Sequence, residues 1–295
     1  MPDYGHDLLF GAVLTPDAEH PDTVIELARL ADRAGLDLVS VADHPYRPDF
    51  LDAWTLLSVI AARTERVRVF PNVANLPLRP PAGLARAAAS LDVLSGGRAE
   101  LGLGAGGYWD AIASEGQPRR TPGEAVEALG EAIEVIRALW STDGGSKGVD
   151  GRHYRLDGAG PGPLAVHPMS IWVGALGPRM LRLIGRCADG WLPSATRVPP
   201  AELAAGHRIV DEAATAAGRD PRSVRRLYNL PALTSAGGGG LAPSDRLAEQ
   251  LAGLTLTQGV SAYLLASDNA SDLERFASEV APAVRELVAE ERAVS

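Results

Sequence analysis

The chain has 295 residues, 46% hydrophobic and 22% charged, with a formal net charge of −9 and a single cysteine. That is ample length for a sizeable core, and ordinary globular usage. The acidic balance, with no block of Lys and Arg, argues against nucleic acid or an anionic membrane as a partner. Cys187 alone excludes an intrachain disulfide and a cysteine zinc cluster, which suits a cytoplasmic protein. The opening residues lack the basic start and apolar run of a signal peptide, and no stretch of about 18 apolar residues is present to span a membrane.

Leu8 to Leu14 reads as a first strand, and Pro21 to Ala34 as a helix closed by Gly35. A short apolar run from Leu36 then ends in Asp43-His44-Pro45, with Pro45 holding His44 extended and stopping the ladder. A helix over 51–63, a strand over 67–71, an alanine-rich helix over 80–94 and a strand over 98–103 follow. The next helix spans 121–140, with Thr121 as N-cap, Pro122 at its first position and Glu124 in its acidic first turn. From 141 to 169 the pattern breaks into a glycine-rich insertion, read as an excursion over the barrel with a short hairpin around Tyr154. Strands over 171–174, 190–193, 224–231 and 260–266 alternate with helices over 178–188, 200–217, 247–256 and 272–290. A flexible loop is expected at Gly237 to Gly240. About eight alternations without a break in composition point to one (β/α)₈ barrel domain over 1–295.

In such a barrel the active site lies at the carboxyl ends of the strands. Strand two brings Asp43 and His44 there, and strand three brings Asn72, Val73, Ala74 and Asn75. Strand four brings Gly104, Ala105, Gly106 and Gly107, then Tyr108 and Trp109. Strand five brings Gly174-Ala175-Leu176-Gly177-Pro178 into a helix start, which is either a phosphate site or a plain tight turn. Asp43 and His44 are either a ligand-facing acid–base pair or a loop cap beside a surface histidine. Of the six histidines only His44 and His167 fall near predicted strand ends, and neither a His-x-His nor a His-Glu-x-x-His pair exists, so no bound metal is expected. No Gly-x-Ser-x-Gly elbow is present, and Cys187 sits inside a helix, so no Ser or Cys nucleophile is indicated. Trp54, Trp140, Trp172 and Trp191 read as packing residues.

Four segments in order resemble the bacterial luciferase-like superfamily of flavin- and deazaflavin-dependent oxidoreductases. They are Val41-Ala42-Asp43-His44, Asn72 through Pro81, Leu91 through Gly106, and Ile171 through Trp191. The resemblance implies a barrel that binds FMN or coenzyme F-420 in reduced form at its mouth and acts on a small organic molecule, with a homodimer as the common assembly. It implies cofactor contacts from Asp43, Asn72, Val73, Ala74, Gly104, Ala105, Gly106 and the 174–178 turn, with the turn holding the phosphate. It places His44 beside the reactive face, Tyr108 and Trp109 on the substrate side, and a non-prolyl cis peptide at Asn72–Val73. His44, with an intrinsic pKa near 6.5, would exchange the proton that accompanies hydride transfer, with Asp43 orienting it or binding the ring edge. The Asp-His pair favours F-420. Its sugar-phosphate dehydrogenases carry a Glu after the strand-four glycines, whereas this chain reads Gly106-Gly107-Tyr108-Trp109. The alternatives are an FMN-dependent monooxygenase that uses oxygen and a non-catalytic flavin-binding protein on the same barrel.

Overall fold

The computed structural model describes residues 3–233 and 244–294, so the glycine tract at 237–240 lies outside the described residues. In chain order the elements are β1 (Leu9–Leu14), α1 (Pro21–Ala34), β2 (Leu38–Val41), α2 (Ala53–Arg63), β3 (Arg68–Pro71), β4 (Ala74–Asn75), α3 (Pro81–Ser95), β5 (Leu101–Gly104), α4 (Trp109–Ser114) and α5 (Pro122–Trp140). Then come β6 (Lys147–Asp150), β7 (Arg155–Ala159), β8 (Ile171–Val173), α6 (Pro178–Cys187), β9 (Gly190–Trp191), α7 (Pro200–Ala216), β10 (Arg225–Leu230), α8 (Ser244–Gln258), β11 (Val260–Ala266), α9 (Ala270–Arg275) and α10 (Ala281–Val294). A π-helical stretch, Phe276–Val280, joins α9 to α10, so the final helix is longer than the periodicity predicts.

Nine strands form one parallel sheet in the order β3-β2-β1-β11-β10-β9-β8-β5-β4. β3 and β4 are halves of one strand, interrupted at Asn72 and Val73, so the barrel has eight positions. β3 pairs with β2 on one side, β4 pairs with β5 on the other, and a Val69–Ala99 bridge closes the ring. The predicted alternation is therefore a closed (β/α)₈ barrel. Two apolar layers hold it. Inside the barrel, Leu38, Phe70, Trp172, Leu192, Leu227, Ala262 and Leu264 pack together, with Trp172 edge-on to Phe70 at 4.9 Å. Between sheet and helices lies a larger layer that includes Trp191, 1% exposed.

Local chemistry sets the helix ends. Thr121 and Glu124 close a reciprocal capping box on α5, with Pro122 at the first position as predicted. Asp52 caps α2 by accepting from the Thr55 N–H at 2.9 Å. Gly35 and Gly96 end α1 and α3 in the left-handed conformation.

The 141–169 insertion contains the predicted hairpin, β6 with β7. It does not pass over the barrel mouth. The Glu131 carboxylate of α5 accepts the N–H groups of Arg152, His153 and Tyr154 at 2.9, 2.7 and 2.8 Å, which fastens the hairpin to the flank of the barrel. The chain then returns along α3 to the foot of the barrel. There Val166 N–H donates to Asp92 at 2.7 Å and Ser170 N–H to Glu100 at 2.6 Å. The mouth is left to the strand-end turns.

Candidate active site

β2 delivers Asp43 and His44 to the mouth, but the two side chains part there. Asp43 is buried. Its Oδ2 accepts from Arg79 Nε at 2.7 Å and from the Asn75 N–H at 2.8 Å, and its Oδ1 accepts from Arg79 Nη2 at 2.7 Å. Arg79 also reaches Asp52 at 2.5 Å. Burial opposes the Arg79 charge, and the Asp43 carboxylate outweighs it, so the guanidinium is held above its ordinary pKa. This bidentate pair ties the end of β2 to the segment after β4, and with the Asn75 N–H it takes three of the carboxylate's acceptor positions.

His44 turns into a cavity of about 540 Å³, within the range of cofactor-sized sites. Asn72, Val73, Ala105, Gly106, Tyr108, Gly174, Ala175 and Leu176 line it as well. His44 is boxed by rings: Tyr46 at 5.5 Å, Phe50 at 6.3 Å and Tyr108 edge-on at 5.6 Å. Its Nδ1 lies 2.7 Å from Tyr46 Oη. Burial pushes its pKa below 6.5, partly offset by the Asp43 charge and reinforced by Arg47.

The peptide between Asn72 and Val73 is cis. Asn72 Nδ2 donates to Asn229 Oδ1 at 2.9 Å and to Ser40 Oγ at 3.2 Å, and Asn229 Nδ2 donates back to Asn72 Oδ1 at 3.2 Å. This reciprocal amide pair joins β10 to the strand-three bulge. Val73 lies between two glycines: a Cβ on Gly104 would come within 2.6 Å of one Val73 methyl, and one on Gly174 within 3.0 Å of the other. Those glycines make room for the chain's own valine.

A second cavity of about 390 Å³ adjoins the first through Ala105, Gly106, Leu176 and Met180, and is lined further by Trp109, Gly177, Pro178 and Arg179. It opens on the start of α6. Gly177 precedes that helix at φ 82°, ψ 150°, a conformation open essentially to glycine alone, and no side chain caps the helix. The first-turn N–H groups and the positive end of the helix dipole are therefore left uncapped at this cavity, a geometry that suits an anion. Trp191 Nε1 anchors the turn by donating to the Ala175 carbonyl at 3.1 Å.

Of the residues expected to touch a ligand, the structure brings twelve of the fifteen to these two cavities and keeps three out. Asp43 is consumed by Arg79. Ala74 is buried in its pairing with Leu103, and Gly104 is covered by Val73. Sequence reasoning missed Tyr46, which meets His44, and Asn229 and Arg197, which line the larger cavity. Asn229 is the next-to-last residue of β10, and the strand-end rule that found Asn72 applies equally to it. No group of three or more His, Cys, Asp or Glu side chains suited to a metal exists among the described residues, nor a helix long and apolar enough to cross a membrane.

A closed parallel barrel whose strand-end turns line two adjoining cavities beside an uncapped helix start is an architecture on which barrel enzymes place their sites. Residues 8–279 match the family described as luciferase-like monooxygenase, and the chain belongs to that family. It is 31% identical over 234 residues to the F-420-dependent glucose-6-phosphate dehydrogenase of Nocardia farcinica, covering 76% of this chain and 68% of that protein. It is 37% identical over 191 residues to the phthiodiolone/phenolphthiodiolone dimycocerosates ketoreductase of Mycobacterium kansasii, covering 63% of this chain and 49% of the relative, about half its length. Two solved structures share the fold. An F-420-dependent secondary alcohol dehydrogenase with an F-420-acetone adduct superposes with a TM-score of 0.79 at 19% identity, over 95% of this chain and 100% of that one. A riboflavin lyase with modified FMN and riboflavin superposes with a TM-score of 0.83 at 16% identity, over 95% and 92%. The protein is an oxidoreductase of this family, whose cofactor is of the flavin type, F-420 or FMN.

Proposed function

We propose that the protein uses F-420 to transfer a hydride to or from the carbinol or carbonyl carbon of a small organic substrate, with His44 exchanging the accompanying proton. The observation that carries this is the position of His44 in one cavity with Val73, next to an uncapped helix start. The residues present fit such a cofactor: Val73 is held forward by the room at Gly104 and Gly174, and α6 offers its N–H groups to a phosphate. When bound, the deazaflavin ring supplies the hydride chemistry. Val73, Ala105 and Ala175 shape an apolar seat for it, the α6 start neutralises its phosphate, and the rings around His44 restrict water. The segment after the strand-four glycines, where the resemblance would place a glutamate for a sugar phosphate, reads Gly106-Gly107-Tyr108-Trp109 here, so the substrate proposed is an alcohol or ketone other than a sugar phosphate. Titrating the protein separately with F-420 and FMN, followed by cofactor fluorescence and then turnover on an alcohol and ketone panel, tests this. Binding of FMN alone, with oxygen consumed during turnover, would instead support the monooxygenase reading.

A further inference from the structure

We propose that Tyr46 is a positioning residue that holds His44 as its Nε2–H tautomer, so that the imidazole presents a proton donor, not a base, to a substrate oxygen in the cavity. This deepens the reading above and rests on it for the identity of the reaction. Tyr46 Oη and His44 Nδ1 are 2.7 Å apart, and the two rings are tilted 47° at 5.5 Å. A hydrogen bond here has two possible directions. If Nδ1 carried the hydrogen, the half-buried phenol O–H would have no protein acceptor among the described residues and would be left to solvent, so one of the two groups would forgo a protein partner. If the phenol donates, both atoms are satisfied with one proton, and the remaining imidazole hydrogen must sit on Nε2. Burial pushes the Tyr46 phenol up to about 12, so it keeps its proton at neutral pH and is available as the donor. Burial also keeps His44 neutral there, so the imidazolium form is scarce and a second proton source is needed.

In the reducing direction the atoms balance as follows. When bound, the reduced cofactor would supply the hydride that makes the new C–H bond at the carbonyl carbon and would itself be oxidised, so the electron pair of the C=O π bond would be left on an oxygen that needs a proton. His44 gives its Nε2 proton to that oxygen, and Tyr46 gives its phenolic proton to Nδ1. The phenolate left behind is less basic than the alkoxide that has been quenched, and it regains a proton from solvent at the mouth. In the oxidising direction the same transfers run backward.

The test has one arm that needs no cofactor. Nitrogen-15 spectra of histidine-labelled full-length protein at pH 7.5, with the His44 signals assigned from a His44→Gln sample, are expected to show His44 with Nδ1 unprotonated and Nε2 protonated. Tyr46→Phe is expected to shift those signals toward a mixture of tautomers. In the kinetic arm, Tyr46→Phe should lower kcat by about 10–100-fold, at or below the lower end of the range for a lost acid–base group, with KM changed less than about threefold. Adding it to His44→Ala should cost nothing further, because the two act as one unit. An Nδ1–H tautomer in the unmodified protein, or a His44 signal indifferent to Tyr46→Phe, would overturn the proposal whether or not any substrate has been found. Absence of turnover with both cofactors, combined with the expected tautomer, would count against the function proposed and leave the tautomer assignment standing.

Discussion

His44 at the mouth of this barrel and His167 at its foot each have a carboxylate for a neighbour, and they behave in opposite ways. At the foot, His167 lies 2.7 Å from Asp92 and 3.4 Å from Glu100. Glu100 first, with Asp92 adding to it, holds its pKa above 6.5 against the effect of burial. At the mouth, His44 is adjacent in sequence to Asp43, yet that carboxylate is taken by Arg79, and burial among aromatic rings wins. A neighbouring acid raises a histidine's pKa only to the extent that its charge is not already spent. The foot favours the protonated form of its histidine, beside the returning insertion. The mouth favours the neutral form and turns it toward the cavity.

The comparison is broken most directly by removing each mouth residue in turn. His44→Ala is expected to lower kcat by on the order of 10²–10⁴ while leaving cofactor affinity within a few-fold, as for a lost acid–base group. Steady-state kinetics with fluorescence titration checks both numbers, and an unchanged kcat would reduce His44 to a structural residue. Asp43→Ala should act through stability instead. It leaves Arg79 partly buried with its main partner gone, a loss of about 3–5 kcal/mol for a broken buried pair. Urea denaturation measures it. A stable variant with weakened cofactor binding would return Asp43 to the role of cofactor ligand.

Much of this was legible in the sequence. The strand–helix alternation, Gly35 and the Thr121-Pro122-Glu124 start are local signals with local causes. The strand-end positions of His44, Asn72 and the 174–178 turn followed from the barrel itself. What stayed hidden depends on long-range pairing. Asp43 meets Arg79 and Asn72 meets Asn229 across 36 and 157 residues, and no periodicity links them. The insertion's course is set by one carboxylate, Glu131, collecting three N–H groups, which composition does not reveal. The glycines at 104 and 174 were visible, but that they serve Val73 required its methyl positions.

A smaller effect sharpens the mouth side of the comparison. Gly177→Asp puts a carboxylate at the α6 start, where it would occupy or repel a phosphate. Cofactor Kd should rise by about tenfold or more, equivalent to roughly 1.4 kcal/mol. Because φ 82°, ψ 150° strains any side chain, Gly177→Ala is the control, and it should weaken binding less than Gly177→Asp. Equal losses in the two variants would mean that strain, not charge, governs, and that the phosphate lies elsewhere.

The smallest expected effect lies at the foot. The folded-state pKa of His167 is raised, so folding favours its protonated form. Its contribution to stability is then fully present below the unfolded value of about 6.5 and is lost as pH rises through the higher folded value. His44 has the opposite sign, since its lowered pKa costs stability as pH falls below about 6.5. His20, raised by Asp17, adds a background in the same window as His167, so the informative quantity is a difference. The stability of the unmodified protein minus that of His167→Gln, measured by urea denaturation from pH 5.5 to 9, should be largest at the acidic end. It should decline by on the order of 1 kcal/mol, the scale of a partly exposed ion pair. A difference that is flat with pH would show that Asp92 and Glu100 are satisfied without His167, by the Ala99, Val166 and Ser170 N–H groups and by Arg68. His167 would then be a neutral spectator, and the contrast between the two ends of the barrel would rest on His44 only.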